Sequence, residues 1–144
     1  MKVIFICTGN TCRSPMAEGI AKKIADEKGY DLEISSAGLF VNDIDGTAQN
    51  AIDALSEINI DISAHVPTQA TLDMLNSADI IVPMTESHEA ALCSLGIDKA
   101  KIMRLDDEIC DPYMQSLDVY RKCRDLLFDN IEKLLVNLQN GKNS

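Results

Sequence analysis

Along this chain, short apolar runs alternate with longer stretches whose apolar positions recur at helical spacing. Val3-Ile4-Phe5-Ile6 and the β-branched stretch inside Ala78-Asp79-Ile80-Ile81-Val82 are too continuous for strands wetted on one face. That alternation is the sequence form of βαβ units, in which parallel strands are buried on both faces and joined by helices. The expected fold is α/β, a four-stranded parallel sheet doubly wound into a three-layer α/β/α sandwich. Its ligand crevice should lie beyond the carboxyl ends of the strands.

The elements fall in the order β-α-β-α-α-β-α-β-α. After the first strand, Met16, Ile20, Ala21, Ile24 and Ala25 share a helix face, Glu18, Lys22 and Lys23 form its wet side, and Gly29 is the stop. Leu32 to Ser35 reads as the second strand, leading into Ser36-Ala37-Gly38. Asp45-Gly46-Thr47 supplies a turn and N-cap for a helix over 48–58, and a short helix follows through Leu72 and Leu75. Glu86 to Leu95 is helical and stops at Gly96, with His88 expected on its surface. Lys101 to Leu105 is the fourth strand, and an acidic loop runs from Asp106 to Tyr113. A final helix, Ser116 to Leu138, carries Val119, Cys123, Leu127, Ile131, Leu134 and Leu138 as its buried stripe.

The 144 residues amount to one domain, 1–144, with no linker or repeat. Thirteen basic against twenty-three acidic side chains give a formal charge of −10, which disfavours nucleic acid and anionic membranes as partners. No apolar run approaches the ~18 residues that span a bilayer. Five cysteines without disulfide-framework spacing, and no secretory leader, point to a reducing compartment, so a cytoplasmic location is expected. The histidines and cysteines show no paired metal-ligand spacing, and neither a metal nor another cofactor is expected. A monomer is the expected state.

Chemistry concentrates in Cys7-Thr8-Gly9-Asn10-Thr11-Cys12-Arg13-Ser14, between the first strand and the first helix. Five residues separate Cys7 from Arg13, so the loop can curl its N–H groups onto one point, with the guanidinium closing the ring. At a helix N-terminus such a ring is a cradle for a tetrahedral oxyanion. Gly9 permits close backbone approach, Asn10 tolerates left-handed backbone, and Pro15 suits the first helical turn. The same field favours a thiolate at Cys7, to which Ser14 can add a hydroxyl hydrogen bond. A buried strand-end cysteine is the bland alternative, and the company of glycine, asparagine, arginine, serine and proline outweighs it. The nucleotide P-loop pattern is absent.

Cys7 to Glu18, C-T-G-N-T-C-R-S-P-M-A-E, resembles the signature of the low-molecular-weight protein tyrosine phosphatase family. The resemblance continues through Ser36-Ala37-Gly38, His65, Ala78-Asp79 and Asp111-Pro112-Tyr113. It implies Cys7 as nucleophile, Arg13 as phosphate clamp and Asp111 as general acid and base, with Thr8, Gly9, Asn10, Thr11, Cys12 and Ser14 around the phosphate. Ser36 and His65 would support the loop, and Phe40 and Tyr113 would wall the pocket. A thiolate attacks phosphorus, and a carboxyl on a loop protonates the leaving group. Arg13 and the loop amides neutralise the equatorial oxygens, so no metal is needed.

Within that family, Thr11 resembles the bacterial protein-arginine phosphatase branch, where tyrosine-directed members carry a bulky aliphatic residue. Leu39-Phe40 resembles the same branch, whereas Met114-Gln115 is neither the second aromatic of many tyrosine-directed members nor the glycine pair of many bacterial ones. The expected substrate is a phosphorylated protein, with phosphoarginine preferred and phosphotyrosine the alternative. Thiol-coupled arsenate reductases carry a similar loop but need further redox cysteines, and here only Cys93 follows the third strand. A non-catalytic phospho-ligand module is the other alternative. Cys12 shares a tight loop with Cys7, so a reversible Cys7–Cys12 pairing is expected on oxidation, while Cys110 and Cys123 read as buried packing.

Overall fold

The structure is a computed structural model that describes residues 1–42 and 46–142. Strand β1 (Lys2–Cys7) lies at the centre of a parallel sheet, between β2 (Glu33–Gly38) and β3 (Ile80–Pro83), in the order β2-β1-β3. Its register runs from Lys2 against Glu33 to Cys7 against Gly38 on one side, and from Val3 against Ile80 to Ile6 against Pro83 on the other. Because side chains alternate along a strand, Val3, Phe5 and Cys7 enter one core and Ile4 and Ile6 the other.

Helices α1 (Arg13–Lys28), α2 (Gln49–Ser56) and α5 (Leu117–Lys142) cover the first face, where Met16, Ile20, Leu55, Leu127 and Ile131 are wholly buried. Helices α3 (Leu72–Ser77) and α4 (Glu86–Ser94) cover the second through Leu75 and Leu92. Each such side chain contributes about 1.5–3 kcal/mol relative to leaving it in water. Helix α1 ends at Gly29, whose φ of 69° is the left-handed cap expected there.

Among the described residues the expected four-stranded sheet has three strands. Lys101 to Leu105 meets β3 at one parallel bridge, Ile81 to Ile102, where Met103 N–H donates to the Ile81 carbonyl at 2.9 Å. Strand β3 turns its even-numbered groups toward β1, as Met84 N–H donating to Ile6 shows. The next rung outward would therefore need the N–H of Pro83, which proline lacks. Residues Lys99–Lys101 form a 3-10 turn instead of a strand start.

Other boundaries shift for local reasons. Strand β2 extends through Ser36-Ala37-Gly38, since all three pair with β1. Helix α2 begins at Gln49 with Ala48 as N-cap and no side-chain cap bond. Of the expected turn, Asp45 lies outside the described residues, and Gly46 has a φ of 63°. In α5 the buried stripe opens on Tyr120 rather than Val119.

Candidate active site

The carboxyl end of β1 delivers Cys7 into the turn that starts α1, and the sheet beside it shapes that turn. Gly38, at the end of β2, is the position that allows this. A Cβ there would stand 2.6 Å from the Thr8 carbonyl oxygen and 3.0 Å from the Asn10 nitrogen. Leu39 N–H donates to Cys7 and Phe40 N–H to Thr8, so the loop is laced to the β2 exit. Asn10 adopts φ 55°, the left-handed backbone its residue type tolerates.

A directed hydrogen-bond chain runs beneath the loop. Thr68 N–H donates to Asn10 Oδ1 at 2.9 Å, which fixes the orientation of the Asn10 amide. Its Nδ2 then donates to Ser14 Oγ at 2.6 Å and to Ser36 Oγ at 3.0 Å. The Ser36 hydroxyl in turn donates to Glu18 Oε1, 2.5 Å away. Ser14, already an acceptor, has its proton free for Cys7 Sγ at 2.8 Å, and Asn10 N–H donates to the same sulfur at 3.2 Å. His65 Nε2 faces two acceptors, the Asn10 carbonyl at 3.2 Å and Oδ1 at 3.0 Å, and so carries the hydrogen, while Nδ1 lies 3.9 Å from Glu18. Asn10 and Ser14 are fully buried. Expected supporting residues Ser36 and His65 are thus both in the chain. Glu18, expected on the wet face of α1, anchors its far end.

Above the sulfur lies a cavity of about 230 Å³ whose lining includes Cys7, Thr8, Gly9, Thr11, Cys12 and Arg13 of the loop, but not the buried Asn10, with Phe40, Asp111 and Tyr113. Arg13 is buried, and its Nη1 donates to the Ile109 carbonyl at 3.0 Å while Nη2 stands 3.7 Å from Asp111 Oδ2. The acidic loop therefore reaches the guanidinium from outside. Asp111 is largely exposed and accepts from Tyr113 N–H at 3.0 Å. Phe40 and Tyr113 stand at the rim, 80% and 50% exposed, as open walls of the pocket. Thr11 lines the pocket, and its Oγ1 lies 3.6 Å from Cys12 Sγ. Cys12 Sγ also meets Tyr120 OH at 3.2 Å, and burial raises the pKa of both groups. Among the described residues no cluster of three His, Cys, Asp or Glu side chains could hold a metal ion.

Two expectations need correction. His88 is buried, 5% exposed, because it shares the inward face of α4 with Leu92 one turn on; the i, i+4 spacing was the available signal. Its Nε2 is 2.9 Å from Thr8 Oγ1. Cys110 is exposed rather than buried, although Cys123 is inside, its thiol pushed up to about 12 chiefly by burial. Within the protein, close backbone approach falls on Gly38, while a Cβ at Gly9 would meet only Thr11 Oγ1, at 3.7 Å.

The family model described as low molecular weight phosphotyrosine protein phosphatase matches residues 2–144. A protein-arginine-phosphatase from Bacillus subtilis is 34% identical, with 99% of each chain covered. The low molecular weight protein-tyrosine-phosphatase PtpB of Staphylococcus haemolyticus is 37% identical over 95% of this chain and 99% of its own. The crystal structure of a YwlE mutant from Bacillus subtilis superposes with a TM-score of 0.91 at 34% identity, covering 96% of this chain and 99% of the other.

Proposed function

The chain belongs to the low molecular weight phosphotyrosine protein phosphatase family, and from that premise we propose that it removes phosphate from arginine side chains of proteins, using Cys7, Arg13 and Asp111. It is a cysteine-dependent protein phosphatase, a hydrolase. The observation that carries the residue assignment is the convergence of Ser14 Oγ and Asn10 N–H on Cys7 Sγ, inside the pocket that Arg13 and Asp111 share.

In the first step Cys7 sulfur attacks phosphorus, forming an S–P bond as the P–N bond to the guanidino group breaks. Asp111 gives its proton to the departing nitrogen. Arg13 turns from the Ile109 carbonyl to the phosphoryl oxygens, which the loop amides also bind, so charge building on the equatorial oxygens meets donors already in place. In the second step Asp111, now a carboxylate, takes a proton from water as it attacks phosphorus. The S–P bond breaks, and inorganic phosphate leaves.

Two features favour phosphoarginine over phosphotyrosine. Thr11 offers a small hydroxyl-bearing side chain at the pocket's crown, which leaves room for a guanidino group, and Asp111 can accept from the N–H groups that a phenol does not have. Of the named relatives, one acts on arginine and one on tyrosine by name. The kcat/KM on the two phosphoamino acids, measured in wild type and in Thr11→Ile, tests the choice. The expected result is a phosphoarginine preference that Thr11→Ile reduces. A phosphotyrosine preference untouched by the substitution overturns it.

Cys12 is also assigned a role as resolving thiol. Peroxide oxidises Cys7 to a sulfenic acid, and Cys12 displaces water from it to give a disulfide that thiols reduce. Cys93, exposed on α4, does not line the pocket, which disfavours an arsenate-reductase relay.

A further inference from the structure

The buried chain under Asn10 holds one side of the nucleophile loop. A separate contact holds the other. Thr8, the residue after Cys7, has its carbonyl held by Phe40 N–H at 2.8 Å, and its Oγ1 is met at 2.9 Å by His88 Nε2, eighty residues away on α4. The far ring nitrogen, Nδ1, lies 3.1 Å from Thr85 Oγ1, the N-cap hydroxyl of the same helix, which also accepts from His88 N–H. The imidazole is therefore clamped between two hydroxyls, one belonging to the loop and one to the start of α4.

We propose that His88 is a positioning residue, which locks Thr8 and thereby aims the first amides of the loop at the phosphoryl group. The inference rests on the phosphatase reading of this pocket, since it assigns an effect on oxyanion binding there. A neutral imidazole has one donor and one acceptor and so matches two hydroxyls, one taking its N–H and one giving its O–H. Burial, followed by the nearby Arg13 guanidinium, holds the ring neutral, with its pKa lowered to about 4 against the opposing pull of Asp111 and Glu108. No other side chain is needed to satisfy the ring, and Thr8 Oγ1 keeps its remaining capacity for the pocket it lines.

Four variants test this: His88→Leu, His88→Gln, Thr8→Val and the Thr8→Val/His88→Leu double. Each is read by thermal melting, by kcat and KM on an aryl phosphate, and by calorimetric affinity for inorganic phosphate, which is independent of turnover. His88→Leu should lose about 5- to 10-fold in phosphate affinity and kcat, the scale of one buried hydrogen bond. His88→Gln, whose side-chain amide can reach the Nε2 position, should recover to within about 2-fold. Thr8→Val should match His88→Leu, and the double variant should be no worse than either. Losses that multiply in the double variant, or equal impairment of His88→Gln and His88→Leu, or unchanged phosphate affinity in both, overturn the proposal. If His88→Leu does not fold, Thr8→Val alone, which removes the hydroxyl and leaves the ring in place, carries the test, and unchanged phosphate affinity in it overturns the proposal. Absence of turnover in wild type would sink the phosphatase reading, while the phosphate affinities would still report on His88.

Discussion

The floor and the roof of the pocket are built on opposite terms. Beneath Cys7, Asn10, Ser14, Ser36, His65 and Glu18 form a continuous hydrogen-bond chain in which nearly every donor has a designated acceptor. Above it, the loop from Asp106 to Tyr113 is mostly exposed and is anchored at Ile109, whose carbonyl accepts from Arg13 and whose N–H donates to Met84, at Asp107 through Asn130, and at Glu108, which accepts from Glu86 N–H. The floor has to hold a sulfur and a ring of amides in a geometry fixed before substrate arrives, which a preorganised, desolvated network does best. The roof has to deliver a proton to a leaving group and then collect one from water, so it needs access to solvent. Stability and catalysis are thus divided spatially, and substitutions should separate them.

The widest separation is expected at Asp111. Asp111→Asn should lower kcat by about 10²- to 10⁴-fold, the usual worth of a general acid, while the melting temperature stays close to wild type because the side chain is exposed. A comparable loss of stability would show that the roof is structural. Asn10→Ala should do both kinds of damage. It strands Thr68 N–H and the Ser14 and Ser36 hydroxyls, costing about 2–4 kcal/mol of unfolding free energy, with phosphate affinity falling alongside. Full stability in that variant, measured by denaturant titration, would break the comparison from the other side.

His88 joins the two regions and sets a smaller, pH-dependent effect. Its folded pKa of about 4 lies below the unfolded value of 6.5, so the unfolded chain binds the extra proton first on acidification. Its contribution is at its best above pH 6.5 and is lost as pH falls toward 4, by no more than about 3 kcal/mol. The groups facing the ring are Arg13 from α1, Asp111 and Glu108 from the acidic loop, and the hydroxyls of Thr8 and Thr85. In His88→Gln this portion of the acid limb should disappear from the stability profile, and an unchanged limb between pH 6.5 and 4 would contradict it. The smallest effect concerns the rim. With an overall charge of −10 and an acidic loop at the pocket, phosphopeptides with flanking Lys or Arg should show a few-fold higher kcat/KM at low salt, fading at high salt. Equal rates for basic and acidic flanks at low ionic strength would confine the charge to a solubility role.

What could be seen in the sequence follows the same division. The floor is local: Cys7, Asn10, Arg13 and Ser14 lie within one turn of chain, so their chemistry can be inferred from spacing. Ser36, inside β2, and His65, between α2 and α3, are legible only through the family resemblance, since no spacing ties either to the loop. Gly38 and His88 were not inferred, since their importance lies in contacts across the sheet that no periodicity records. Gly38 matters through a 2.6 Å approach of another strand's exit, and His88 through a hydroxyl eighty residues earlier. The fourth strand was expected because Lys101 to Leu105 has strand composition, yet pairing depends on the partner, and the partner position is Pro83.

That proline has a further consequence. An exposed sheet edge invites pairing with a strand from another molecule, because its unpaired N–H and C=O groups form a template. Beyond the single Ile81–Ile102 bridge, the margin of β3 presents a pyrrolidine ring where the next amide hydrogen should be. Pro83 is also buried, so this margin of the sheet offers an incoming strand neither its next rung nor a path to it.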